Sequence, residues 1–175
     1  MAEPILREAT AADLPALARL AQDTYIETFG HLYRPEDLAA FFAEALSEAA
    51  ITAEMQDPRV AYQVVEDAGR LIGYCKIGPV KVPVAATEPA LELRQLYLRQ
   101  SAQGLGLGDA LMRWAMHEAR ARGARLCYLS VYSENFRAQR FYRRHGFQHG
   151  GEYRFMVGEQ ADHEFWWWRR LDIPD

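Results

Sequence analysis

The sequence predicts a mixed α/β chain folded around one sheet, and three observations carry that prediction. A strand, a glycine-rich loop, a helix and a second strand follow one another between residues 91 and 131, which is the order of a right-handed parallel crossover. Alternating apolar runs on either side of that unit read as antiparallel hairpins. Two capped segments with helical spacing come before the first hairpin, so helices and strands share one core. The chain has 175 residues. That length fits a single domain over 1–175, large enough to bury a core without disulfides.

In chain order, Ile5 to Glu8 opens as a short strand. Asp13 caps a helix with Pro15 in its first turn, along which Leu14, Leu17, Ala18, Ala21, Tyr25 and Phe29 repeat at helical spacing, and Gly30 ends it. Pro35 opens a second helix with Leu38, Phe41, Phe42 and Leu46 as its apolar stripe. Ala61 to Glu66 and Leu71 to Ile77 form a hairpin through Asp67-Ala68-Gly69-Arg70. Gly78 to Pro89 is a loop. Leu91, Leu93, Leu96 and Leu98 make a strand whose alternation breaks at Arg94-Gln95, the mark of a bulge. A helix from Gly106 to Arg122 buries Leu107, Leu111, Trp114 and Ala115, and Gly123 stops it. Leu126 to Val131 is a buried strand, and Asn135 to His145 a helix ended by Gly146. Phe147 to Val157 and His163 to Leu171 make a last hairpin through Gly158-Glu159.

Composition removes several classes of function. Lysine and arginine total 20 against 24 acidic residues, a net charge of −4, so the basic footprint of a nucleic-acid binder is missing. No apolar run reaches the ~18 residues of a membrane span, and Met1 to Glu8 lacks the features of a signal peptide. Cys75 and Cys127 sit among strand residues as small hydrophobes, which suits a reducing, cytoplasmic setting. His145 and His149 are separated by the helix-ending Gly146 and do not share a face, so no metal set is expected. In Trp166-Trp167-Trp168 the outer two residues face one way and the middle one the other. One face is core, and the other is an acceptor wall or a subunit interface, which makes a homodimer an expectation.

The segment Gln103-Gly104-Leu105-Gly106-Leu107-Gly108 carries the chemistry. Three glycines just before a helix let main-chain N–H groups approach a phosphate, and the helix dipole favours its charge. The spacing is neither G-x-G-x-x-G nor a P-loop, because Asp109 follows and no Lys-Ser/Thr pair does. It matches Q/R-x-x-G-x-G/A, and with its flanks it resembles the acetyl-CoA loop of the GNAT superfamily of N-acetyltransferases. Leu93 to Leu98 resembles the strand preceding that loop, and Asn135 to Phe147 resembles the second signature, N-x-x-A-x-x-F-Y-x-x-x-G-F. Tyr25-x-x-Thr28-Phe29 before Tyr33, Leu71 to Lys76 and Gly151 to Gly158 resemble bacterial polyamine N-acetyltransferases within it.

The resemblance implies a twisted, mostly antiparallel sheet of about seven strands, a splayed parallel central pair and about four helices. It implies acetyl-CoA as cosubstrate, bound by main-chain groups of Leu96 and Leu98 with Tyr97 between them. The pyrophosphate is then expected on N–H groups of Gly104, Leu105, Gly106, Leu107, Gly108 and Asp109, with Gln103, Asn135, Ala138 and Tyr142 completing the cofactor site. Asp109 is expected to point away from phosphate. Tyr142 is the implied general acid, since a phenol near 10 stays protonated at neutral pH and can donate to a departing thiolate. Glu92, eleven residues before Gln103, matches a glutamate that serves several members as base. Tyr25, Glu27, Phe29 and Tyr33 are the expected lining of a small-molecule amine site, where a cation gains from carboxylates and aromatic faces together. The rival expectation is a non-catalytic acyl-CoA sensor of the same fold.

Overall fold

The computed structural model describes residues 3–173. Its single sheet has seven strands: β1 (Ile5–Glu8), β2 (Ala61–Asp67), β3 (Arg70–Gly78), β4 (Ala90–Leu98), β5 (Leu126–Tyr132), β6 (Gln148–Val157) and β7 (Gln160–Arg170). They lie in the order β1-β2-β3-β4-β5-β7-β6. The pair β4–β5 is parallel and all the other neighbours are antiparallel. The helices are α1 (Leu14–Phe29), α2 (Pro35–Ala45), α3 (Glu48–Met55), α4 (Leu107–Ala121) and α5 (Phe136–Arg144).

The strands and the four expected helices fall where periodicity and caps placed them, within a few residues. Helix α3 is an addition. It buries little besides Ile51, so it has no apolar stripe for a periodicity reading to find. Its local signal is the Ser47 cap, which accepts the Ala50 N–H at 3.2 Å. Asp13, expected as a helix cap, binds instead the Thr10 N–H and the Arg7 guanidinium, closing a short turn ahead of α1.

Each face of the sheet carries its own core. On one, α4 buries Leu111, Met112, Ala115 and Ala119 against Cys75, Ile77, Leu93, Cys127 and Leu129. On the other, α1 and its neighbours bury Leu17, Leu20, Phe41, Leu46 and Ile51 over Val64 and Tyr74. Both cysteines are free and fully buried, and burial pushes both thiols up, as for small core hydrophobes. Trp167 joins the α4 core. Trp166 and Trp168 pack beside Val82, Leu126 and Tyr128, under the 79–89 loop. A Cβ on Gly150 or Gly151 would stand 1.9 or 2.6 Å from the Trp166 ring, so the β6 bulge there admits the indole.

Two irregularities of β4 open the sheet at its centre. Lys76 pairs with Gln95 and Ile77 with Leu93, so Arg94 is the extra residue of a bulge, at the expected break in alternation. Pairing between β4 and β5 runs only from Ala90↔Leu126 to Leu93↔Leu129. Beyond the bulge the two parallel strands part. The Arg99 N–H donates to Ile72 of β3 at 2.9 Å, and Tyr97 lies opposite Tyr74. Ladder alternation therefore turns the main-chain groups of Tyr97 toward β3 and those of Leu96 and Leu98 toward the gap.

Candidate active site

A cleft of about 830 Å³ runs from the glycine loop through this gap to the face covered by α1 and α2. At its loop end, Gly104 and Gly106 have φ of +81° and +76°, the left-handed region that favours glycine. A Cβ at either position would meet nothing within 4 Å, so the approach to the backbone is open. Among the described residues, none of the N–H groups from Gly104 to Asp109 donates to a main-chain or side-chain acceptor of the chain. Six adjacent donors at the start of α4 form a cradle for an anion. The fit to an anion rests on this geometry, and a CoA pyrophosphate is the anion that the resemblance implies.

Side chains brace the cradle. Gln103 donates to the Leu98 carbonyl at 3.3 Å and accepts from Arg137 of α5 at 2.5 Å. Asp109 turns to α5, where it meets His145 at 2.6 Å and accepts from Arg144 at 3.1 Å. Those partners, His145 first, hold its carboxyl below the usual range. Asp109 is thus a tether between helices, pointing away from the cradle as expected. Asn135 caps α5 by accepting the Ala138 N–H at 3.1 Å. Arg137, Arg140 and Arg144 line this end of the cleft and supply the positive charge that the motif reading did not assign. Arg144 is part of that set even while paired with Asp109.

Tyr142 of α5 lines the cleft. Burial pushes its phenol up, so it stays protonated throughout the neutral range. Glu92 is buried under the 79–89 loop, and its Oε2 accepts the main-chain N–H groups of Lys81 at 2.5 Å and Val82 at 3.0 Å. Burial outweighs those bonds and raises its pKa. Glu27 lies at the loop end, where its carboxylate accepts the Gln100 N–H at 2.8 Å and lies 3.8 Å from Arg99. It clasps α1 to the segment before the glycine loop, and its charge is already matched there.

The acidic groups of the α1–α2 side are Asp162 and Glu164 of β7, a strand expected to offer one face of its tryptophans as an acceptor wall or a subunit interface instead. Tyr33 donates to Asp162 of β7, and Tyr25 to Tyr33 at 3.4 Å. Two residues along β7, Glu164 is buried and accepts from Ser130 at 2.8 Å, and Ser130 accepts from Tyr153 at 2.6 Å. Burial raises the Glu164 carboxyl to about 7, with Asp162 adding to the effect. Phe29 stands edge-on to Tyr132, 6.1 Å between ring centres. The structure thus brings Tyr25, Phe29 and Tyr33 together as expected and adds Asp162, Glu164, Tyr132 and Tyr153. Trp166 and Trp168 do not line the cleft. The signal available for the missed pair was the alternation Asp162-x-Glu164 on a strand, which by itself reads as a solvated edge.

A second charged group closes the far end of the cleft. Lys76 is buried and lies 2.6 Å from Glu54 of α3, with Arg94 at 3.7 Å and Lys81 at 3.9 Å from the same carboxylate. Arg94 and Lys81 act also on Glu92, so three cations face two carboxylates there.

An anion cradle opening through a splayed parallel pair onto a tyrosine and buried carboxylates fits the acyl-CoA-dependent transferase that the resemblance implies. The model of the Acetyltransferase (GNAT) family matches residues 14–147, and the chain belongs to that family. It is an N-acetyltransferase, and its cosubstrate is acetyl-CoA. The chain is 29% identical over 154 residues to an uncharacterized N-acetyltransferase of Lactobacillus delbrueckii subsp. lactis, covering 87% of this chain and 89% of that one. It is 31% identical over 153 residues to another of Mycobacterium tuberculosis, covering 87% and 94%. The crystal structure of the PaiA N-acetyltransferase from Thermoplasma acidophilum in complex with coenzyme A superposes with a TM-score of 0.79 at 20% identity, covering 97% of this chain and 99% of that one. These relatives lend no support to the narrower resemblance to polyamine acetyltransferases.

Proposed function

We propose that residues 1–175 act as one catalytic domain that acetylates a small cationic primary amine, of which polyamines are the leading candidates. The observation that carries this reading is the set of Tyr25, Tyr33, Tyr132 and Glu164 lining the cleft, with the buried Asp162 held by Tyr33. Aromatic faces and buried carboxylates together attract an ammonium group and select against neutral acceptors. In the cofactor site, the N–H groups of Gly104 to Asp109 hold the pyrophosphate. The main-chain groups of Leu96 and Leu98 hold the pantetheine arm, and Arg137 and Arg140 neutralise phosphate charge. Acetyl-CoA, when bound, supplies an acetyl group on a thiol leaving group. Tyr142 donates its proton to the departing sulfur and recovers one from the acylated nitrogen. Glu92 is the base that the resemblance implies.

One observation favours a second reading of the acceptor. The Lys76, Lys81 and Arg94 group at the far end suits an amine that also bears an anionic group. A screen of spermidine, spermine, amino acids and aminophosphonates with acetyl-CoA, followed by thiol release, separates the two. Spermidine turnover whose KM rises with ionic strength, more than the KM for acetyl-CoA, supports the polyamine reading. Asp162→Asn is expected to raise that KM about tenfold by removing one buried charge. Glu27→Gln leaves it within a factor of two, because Glu27 is already matched by Gln100 and Arg99. Turnover of anionic amines alone overturns it.

A further inference from the structure

We propose that Glu164, rather than Glu92, is the general base that takes the proton from the acceptor ammonium. This rests on the acetyltransferase reading of the cleft. Both carboxylates are buried and both line the cleft, so position alone does not separate them. Their hydrogen bonds do. Glu92 Oε2 accepts two main-chain N–H groups of the 79–89 loop. Donors of that kind favour the charged form and hold a carboxylate in place, which is the work of an anchor. Glu164 accepts one side-chain bond, from Ser130 to its Oε2. Among the described residues the Oε1 of each glutamate has no hydrogen-bond partner, so the difference lies at Oε2: two main-chain donors pin Glu92, and a single side-chain hydroxyl holds Glu164. The Tyr153–Ser130 chain behind it fixes the orientation of the carboxylate.

The surroundings of Glu164 place it with the reacting groups. Its charge acts on the hydroxyls of Tyr25 from α1, Tyr33 from the α1–α2 connection, Tyr97 from β4 and Tyr132 from β5. It acts also on Tyr153 from β6 and on Tyr142 from α5, the proposed acid. These phenols are all raised and stay neutral near pH 7. Asp162 is the one charged group that acts on Glu164, and no cation among the described residues offsets it. A carboxyl raised to about 7 in such surroundings is matched to accepting a proton near neutral pH. In the step, one N–H bond of the ammonium breaks and an O–H bond forms on Glu164. The freed electron pair stays on nitrogen as the nucleophile, and Glu164 later returns its proton to solvent.

The test compares Glu164→Gln, Glu92→Gln and the unaltered enzyme by thiol release across pH, with the best amine from the acceptor screen. The unaltered enzyme is expected to show an acid limb in kcat/KM near pH about 7. Glu164→Gln should lower kcat by ~10²-fold or more and replace that limb with the slope of free amine, which rises toward ~10. Glu92→Gln should keep the limb. A Glu164→Gln enzyme with kcat within a few-fold and an unchanged limb overturns the proposal, as does loss of the limb in Glu92→Gln alone. A second measurement does not depend on an acceptor: 13C NMR titration of the glutamate carboxyls, with Glu164→Gln assigning the signal. A midpoint near 7 supports the proposal, and one in the ordinary range near ~4.3 overturns it. Failure of every amine in the screen, with CoA bound, counts against the acetyl-transfer reading and leaves the NMR result to judge Glu164.

Discussion

A buried carboxyl kept for chemistry costs the fold stability, and Glu164→Gln measures how much. The side chain ionises near 4.5 in the open and near 7 in the folded protein. Between those values the folded chain binds the proton more tightly than the unfolded one, so stability falls as pH rises. The loss is complete above the folded value and amounts to about 3 kcal/mol. Glutamine keeps a carbonyl for the Ser130 hydroxyl, carries no charge and turns its amide toward the cleft. The variant should therefore exceed the unaltered protein by about 3 kcal/mol at pH about 8.5, and by less than about 1 kcal/mol at pH about 5. Urea unfolding followed by tryptophan fluorescence at the two pH values gives both numbers. Because other groups titrate alike in the two proteins, their difference isolates residue 164. A difference that does not grow with pH, or a variant less stable at the higher pH, refutes the reasoning that burial raises this carboxyl.

Two further outcomes are expected. Tyr142→Phe should lower kcat by ~10²-fold or more while leaving CoA affinity and melting temperature close to unaltered, because the hydroxyl holds no structural hydrogen bond among the described residues; kcat within a few-fold would make Tyr142 a packing residue. Gly106→Asn tests the cradle without forbidding its backbone, since asparagine tolerates the left-handed region that Gly106 occupies at φ +76°. Its side chain enters the open space over the N–H groups, and calorimetry should show CoA affinity reduced ~10-fold or more in a folded protein.

The loop geometry of the anion cradle was legible because it is local. Gln103 to Asp109 is one continuous loop and helix start, and Asn135 to Tyr142 is one short helix. Glycine spacing and a cap fix the direction of N–H groups over a few residues, and a sequence displays such spacing directly. The bulge at Arg94 was legible in the same way, as a break in alternation that the pairing of Lys76 and Ile77 with β4 bears out. Glu27 shows the limit of that reasoning. It lies on the segment expected to cover the acceptor, yet its carboxylate is held by Gln100, 73 positions further along the chain.

The sequence by itself determined the strand and helix order, the parallel crossover, the anion cradle and the phenol of Tyr142, all of which depend on neighbours within about two turns or one strand. Only the tertiary structure decided which carboxylates are buried at the cleft. On an isolated strand, Asp162 and Glu164 are two polar residues on one face, indistinguishable from a solvated edge. They become a buried acidic pocket because β7 is inserted between β5 and β6, and because α1 and its connection to α2 lay Tyr25 and Tyr33 over that face. Burial and the set of available donors are properties of what packs above a residue, and local sequence does not encode what packs above it. Those two quantities are what pin Glu92 to a loop by two main-chain donors and leave Glu164 with a single side-chain donor.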